Sequence, residues 1–305
     1  MSGSTATVSR SPRSMAWARR RRAFGGFCRE FSRSRSGMVG LVFLAVIIVL
    51  AILAPVLAPA WMLDVTKLLD QPRFAPPSLE HPFGTDDQGR QLWVRMIWGA
   101  RVSLLVGFAA TAVSMIIGTI VGIAAGHFTG WTGGLLMRII DFFLVLPSLI
   151  LAIVLSVVLS RGVWTIVIAI GLTSWAGTAR VVRAQTLSVE SRDYIERSRV
   201  LGAGHWHIIV KHLLPAVLPL VLANTTLTVG SAIIAESTLS FLGLGDTTLQ
   251  SWGSILKNAL DVSAATAGYW WYVLVPGIAI MLVVLAFTLA GRAVETIVNP
   301  TLRSR

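Results

Sequence analysis

Six long apolar windows, separated by polar stretches, set the pattern of this 305-residue chain. They run 38–63, 102–126, 142–160, 162–179, 213–235 and 262–291, and none contains Asp, Glu, Lys or Arg. About 20 apolar residues cross a bilayer as a helix, so the pattern predicts an all-α integral membrane protein with six transmembrane helices. The third and fourth windows are the shortest, and Arg161 between them reads as a turn. A membrane β-barrel would show short segments of alternating polarity instead. The resulting division is a basic, largely disordered tail at 1–37, a first transmembrane helix at 38–60, an external segment at 61–98 and a core at 99–291. That core holds five spans and a cytoplasmic loop at 190–215. A second tail occupies 292–305.

The windows differ in texture. The first carries large aliphatics and few small residues, which suits a peripheral helix. The second is punctuated by Gly118, Gly122 and Gly126, a small-residue ladder that lets helices approach closely. The fifth has a polar face formed by Asn224, Thr225, Thr226, Thr228 and Ser231. Packing glue explains these features in the ordinary case. The functional alternative is a translocation path, with Asn224, Thr228, Ser231, Gly118 and Gly122 as its candidates. Arg138 and Asp141, three residues apart at the start of the third window, are spaced to pair on one helical face. Pro147 should kink the helix that follows.

Composition and charge sharpen the picture. The chain is 54% hydrophobic and 13% charged, with a mean hydropathy of +0.73, far from the roughly one-quarter charged composition of soluble domains. With six spans, both termini lie on one side. The tails, the 127–141 connection and the 180–212 loop then hold 19 of the 26 Lys and Arg residues. The positive-inside rule places that side in the cytoplasm of a cell membrane. The Arg19–Arg22 cluster could bind nucleic acid, but a topology signal attracted to anionic lipid explains it better, so no nucleic-acid partner is expected. A basic run before an apolar one, with Ala58-Pro-Ala60 beyond, could also be a cleaved leader. The apolar run is too long for one, which favours a retained span.

Catalytic chemistry is missing. No Gly-x4-Gly-Lys-Ser/Thr loop cradles a phosphate, and Lys67, Lys211 and Lys257 are the only lysines. The single Cys28 forms no internal disulfide. His205, His207 and His212 lack carboxylate or thiol companions, so no metal site is expected. Asp86-Asp87 reads as solvated or capping carboxylates in a proline-bounded loop. The chain is expected not to be an enzyme and to bind no cofactor itself.

The loop at 190–215 is a polar island. Residues 192–201 contain no Gly or Pro, and Glu196 is spaced to pair with Arg192 or Arg199. Gly202-Ala-Gly204 should break that helix, and an amphipathic segment resumes at His205. Leu214-Pro215 then opens the fifth span. The spacing Glu196-x5-Gly202-x11-Leu214-Pro215 resembles the signature Glu-Ala-Ala-x3-Gly-x9-Ile-x-Leu-Pro of permeases from binding-protein-dependent ABC importers. Arg197, Ser198 and His212 depart from it. His81-Pro-Phe-Gly-Thr-Asp86-Asp-Gln-Gly-Arg90, Gly99-Ala-Arg-Val-Ser-Leu104, Met137-Arg-Ile-Ile-Asp141 with Leu146-Pro-Ser148, Glu236-Ser-Thr-Leu-Ser-Phe-Leu-Gly-Leu-Gly245 and Asn299-Pro-Thr-Leu-Arg303 resemble C-type subunits of the dipeptide/oligopeptide/nickel branch. The likeness covers about residues 36–303.

That resemblance implies the type I ABC importer (MetI-like) permease fold and a permease subunit moving di- or oligopeptides, or related small solutes, by alternating access. It implies three kinds of partner besides the lipid membrane: a second, B-type permease subunit, two ABC ATPase subunits that bind ATP and Mg²⁺, and an extracytoplasmic substrate-binding protein. It further implies that Tyr194, Glu196, Gly202, Ala203, His205, Leu214 and Pro215 form the surface coupled to the ATPases. A competing expectation, motivated by Arg138, Asp141 and Asn224, is an ion- or proton-coupled secondary transporter acting alone.

Overall fold

The computed structural model describes residues 25–68, 71–246 and 248–298. The Arg19–Arg22 cluster and the Asn299–Arg303 motif lie outside the described residues. Ten α-helices follow the short helical entry at 25–31, and the only β-pairing among the described residues is an isolated bridge between Thr85 and Gln91.

Helix α1, Arg35–Leu57, starts where the Ser34 side chain accepts the Gly37 N–H at 3.2 Å, satisfying one orphan donor of the first turn. Helix α2, Leu92–His127, has 36 residues and is about 54 Å long at 1.5 Å per residue. It begins well before the apolar window that predicted it, so Trp93 and Trp98 belong to a helix rather than to a loop. Helices α3, Trp131–Val145, and α4, Ser148–Val158, meet at 88°. The expected kink at Pro147 is therefore a full break. Proline disfavours helical geometry at the residue before it, and Leu146 is extended, with φ −75° and ψ 131°. By length and composition, five helices among the described residues could each cross a membrane, and the α3–α4 pair, bent at its break, passes the same test only when its two halves are taken together, as a broken span or a re-entrant loop.

Helix α5, Val163–Glu190, continues past the predicted end of its window at Ala179. Next come α6, Asp193–Val200, and α7, His205–Ile208, with a π-helical turn at Ile209–Leu213 leading into α8, Leu214–Phe241. The last π bond runs from Leu214 N–H to the Ile209 carbonyl. The chain thus widens just before Pro215, which has no N–H to give. Helix α8 runs past the end of its window at Ala235, which buries Glu236 inside it. There Ser103 and Ser240 hydroxyls donate to the carboxylate at 2.9 and 2.7 Å. Helix α9, Trp252–Asp261, opens on a Ser251/Ser254 capping box. Helix α10, Trp270–Val298, starts eight residues later than the window at 262 implied.

Small residues set the packing. An added Cβ at Gly118, Gly122 or Gly126 would lie 2.6–2.8 Å from α5 atoms of Thr178, Trp175, Ala179, Val182 or Thr186. The ladder is thus the α2–α5 seam, the most extensive helix contact in the molecule. Helix α1 sits on α10 through Gly37 and Gly40, while Val39, Val42, Val46, Val49 and Val56 face outward. It is peripheral, as its texture predicted, but it is seated by glycine.

The segment before α2 is folded tightly onto the helices. Asp86 is fully buried, so of the solvated and capping roles expected for it the solvated one fails. Its carboxylate accepts from Arg90 Nε at 2.7 Å, from Arg95 Nη1 at 2.8 Å and from the backbone N–H groups of Gln88 and Arg90. Arg95, also fully buried, reaches the Tyr272 hydroxyl at 2.8 Å and Gln250 Oε1 at 2.7 Å, and Tyr272 donates to Asp87. One arginine thereby ties α2, the preceding loop, α10 and the approach to α9 together.

Candidate functional site: a polar groove and a projecting helix pair

Two features stand out at the centre and at one end of the bundle. The first is a groove of about 550 Å³ where the α3–α4 break faces α5 and α8. Its walls are Phe143, Leu144, Leu146 and Ser148 from the break, Thr173, Ser174, Gly177, Thr178 and Val181 from α5, and Asn224, Leu227, Thr228 and Ser231 from α8. No lining residue is charged. The Thr173, Thr228 and Ser231 hydroxyls donate to carbonyls one turn back on their own helices, which leaves their oxygen lone pairs as acceptors. Asn224 Nδ2 donates to Thr178 Oγ1 at 3.2 Å and bridges α8 to α5.

Asn224, Thr228 and Ser231 therefore share one wall, as their spacing on a single helix face required. Gly118 and Gly122 do not line the groove; they lie behind it in the α2–α5 seam, where Gly118 backs onto Thr178. Sequence reading missed the α5 wall, because Thr173, Ser174, Gly177 and Thr178 sit in a window read only for its apolarity. The Arg138–Asp141 pair does not form. Asp141 instead pairs with Arg180 across α3 and α5 at 2.5 Å, with both side chains about half exposed. The intrahelical relay that motivated a proton-coupled transporter is absent from these contacts.

The second feature is the α6–turn–α7 pair. Its inner face is fixed: Ile195, Ile208 and Leu213 are buried against Met115 of α2, Val182 and Val189 of α5, and Val217 and Val221 of α8. The turn hinges on Gly202 at φ +85°, a left-handed conformation that costs a side-chain-bearing residue about 1–2 kcal/mol. A Cβ there would meet nothing within 4 Å. The constraint is thus conformational rather than steric. The Ala203 N–H closes the end of α6 on the Ser198 carbonyl at 3.0 Å.

The outer face carries apolar side chains in the open. Val200 is 84% exposed, Leu201 86% and Trp206 77%. Tyr194, Glu196 and Pro215 are also exposed, and Ala203 and Leu214 are half-buried. Glu196 pairs with neither Arg192 nor Arg199; Arg199 pairs with Glu190 instead. His205 turns toward α2, where its Nδ1 lies 2.9 Å from His127 Nε2. His212 hydrogen-bonds Ser198 at 3.2 Å. Val200, Leu201 and Trp206 escaped the sequence reading because the family signature assigns them no letter, although hydrophobic residues in a polar island were a usable signal.

A many-spanned helical bundle with a polar groove and an apolar ridge projecting from one end is built as a membrane transport subunit. The description "Binding-protein-dependent transport system inner membrane component" matches residues 118–304, and "N-terminal TM domain of oligopeptide transport permease C" matches residues 24–77. A putative peptide transport system permease protein of Brucella suis is 39% identical over 280 residues, covering 90% of this chain and 91% of that protein. The dipeptide transport system permease protein DppC and the oligopeptide transport system permease protein OppC of Bacillus subtilis are 37% and 38% identical, each over 90% of this chain and over 85% and 88% of their own lengths. A chain of the MetNI methionine ABC transporter, solved in inward-facing conformations, aligns with a TM-score of 0.51 and 21% identity over 67% of this chain and 97% of its own. The chain belongs to the family of binding-protein-dependent transport system inner membrane components. It has the MetI-like fold and is a permease subunit of an ABC importer.

Proposed function

We propose that this chain forms half of the pore of an importer for di- or oligopeptides and that the α6–α7 ridge plugs into a separate ATPase. In this reading a B-type permease completes the pore and two ATPase subunits hold ATP and Mg²⁺. An extracytoplasmic binding protein delivers solute, and both termini face the cytoplasm of the cell membrane. The observation that carries it is the exposed trio Val200, Leu201 and Trp206 on a helix pair whose inner face is locked to three spans. Large exposed apolar side chains grouped on a rigid element mark a protein interface.

Peptide as cargo is supported by the names of the relatives and by the chemistry of the groove. An uncharged wall rich in hydroxyl acceptors suits the amide N–H groups of a short backbone without selecting a side-chain charge. Alternating access then needs each ATPase state to favour one pore state by a few kcal/mol, since a ligand without differential affinity shifts nothing. The ridge is the element that would carry that bias, with Tyr194, Glu196 and Ala203 beside the trio and Leu214-Pro215 joining it to α8.

Gly202→Val in the assembled complex tests the reading. The chain should still insert, because nothing crowds the position, while docking of the ATPases or peptide uptake driven by ATP should fall at least about tenfold, as the left-handed strain predicts. Normal uptake by a fully assembled Gly202→Val complex would remove the ridge from the mechanism. Uptake of labelled dipeptide against a nickel chelate by the wild-type complex tests the cargo.

A further inference from the structure

Behind the exposed ridge lies a polar chain that no sequence motif announced, largely buried at His127 and Glu190 and exposed at Arg199 and His205. His127 closes the last turn of α2, and its Nδ1 hydrogen-bonds Glu190 Oε1 at the end of α5. The other oxygen of Glu190 accepts from Arg199 of α6. His127 Nε2 meets His205 Nδ1 of α7 at 2.9 Å, with the two rings edge to face at 80°. The His127 side chain is 1% exposed and that of Glu190 is 11% exposed, against 49% for Arg199. Four helices thus meet through four side chains.

The placement runs against local preference. A carboxylate at a helix C-terminus faces the negative end of the dipole, so Glu190 is disfavoured by its own helix and held by its partners. Such a local conflict, resolved only by tertiary contacts, points to a role in the assembly rather than in the helix. The proton bookkeeping is also restrictive. His127 must donate through Nδ1 to the carboxylate, so its Nε2 either accepts from His205 or, as imidazolium, donates to it. Either way one proton lies between the rings.

We propose that His127, Glu190, Arg199 and His205 form a positioning relay that passes movement of the α6–α7 ridge into α2 and α5. The relay rests on the reading of the ridge as the ATPase contact. Apolar packing of Ile195 and Ile208 holds the ridge down but lets it slide; directional bonds from α6 to α5 and from α7 to α2 fix its rotation. Helix α5 supplies one wall of the groove, so a turn of the ridge is converted into a displacement of that wall. The four residues touch neither solute nor nucleotide and act through the helices that they join.

The test uses the complete complex in proteoliposomes and measures three quantities: ATPase subunits retained on purification, ATP hydrolysed, and peptide taken up. In His205→Ala the ATPases stay bound and hydrolysis continues, while peptide moved per ATP falls about tenfold. His205→Asn, whose amide N–H reaches the same neighbour, restores the ratio to within about threefold of wild type. His127→Asn, whose amide keeps a donor near Glu190 but loses the His205 contact, combined with His205→Ala is no worse than His205→Ala alone, because both then act on one bond. Unchanged peptide per ATP in His205→Ala with ATPases bound would overturn the relay, as would an Asn variant as uncoupled as the Ala variant. Loss of bound ATPases in Leu201→Ala or Trp206→Ala is the separate readout for the ridge; their retention there would sink the underlying reading without bearing on the hydrogen bonds.

Discussion

The two ends of this molecule spend polar side chains in opposite ways. At the Asp86 end, two arginines, an aspartate and a tyrosine are buried and hydrogen-bonded to one another beneath a loop whose Leu79 and Phe83 stay exposed. At the Gly202 end, the polar chain is largely buried only at His127 and Glu190, and large apolar groups are left in the open. The buried polar network of the first end is complete within one chain. The second is finished on its inner face and unfinished on its outer face, which is how a subunit prepared for a partner differs from a self-contained clamp.

That contrast can be broken most forcefully at Asp86. Asp86→Ala strands Arg95 as an uncompensated buried cation, a defect that typically costs about 3–5 kcal/mol. The complex should unfold at a clearly lower temperature in a detergent melt, or fail to accumulate in the membrane. A melt unchanged from wild type would mean that the node is wetter than its zero exposure indicates. Trp206→Ala is the counterpart at the other end. Truncating an exposed side chain should leave the melt unmoved while weakening ATPase association by about 2 kcal/mol, or roughly thirtyfold, as for an interface anchor; a titration of ATPase onto the permease pair measures it. Gly122→Val tests the seam between the two ends. Its Cβ would sit 2.6 Å from the Ala179 carbonyl, and overpacking of this kind costs about 1–3 kcal/mol, read again by the melt. Thr228→Val should do least: stability within about 0.5 kcal/mol, with a shift in peptide KM as its only trace. A large stability loss there would argue that the groove is packed shut.

Both ends were only partly legible in the sequence. The Glu196–Gly202 island announced a helix, a turn and a helix, because glycine requirements and helical spacing are local properties. Asn224, Thr228 and Ser231 shared a face for the same reason. What stayed hidden was long-range. Asp141 was matched with Arg138 three residues away, but its partner is Arg180, on another helix and just outside the apolar window where that helix was thought to end. Glu190 and His127 drew no reading, since nothing in the spacing of residues 127, 190 and 205 says that they meet. Asp86 seemed solvated because its partner Arg95 lay in a stretch read as loop. Apolar windows locate the middle of each long helix well, but the helices continue beyond the windows, and Arg95, Arg180 and Glu190 lie in those extensions.

Helix α5 is a single unbroken rod from Val163 to Glu190. Thr173 in the groove and Glu190 near the ridge are separated along it by about 25 Å at the usual rise per residue. A rod of that kind behaves as a crank: swinging one tip by a few ångströms re-aims the other, and the helix has no break between them to absorb the stroke. The chamber wall and the drive end of this subunit are therefore one mechanical part, and neither can change posture alone.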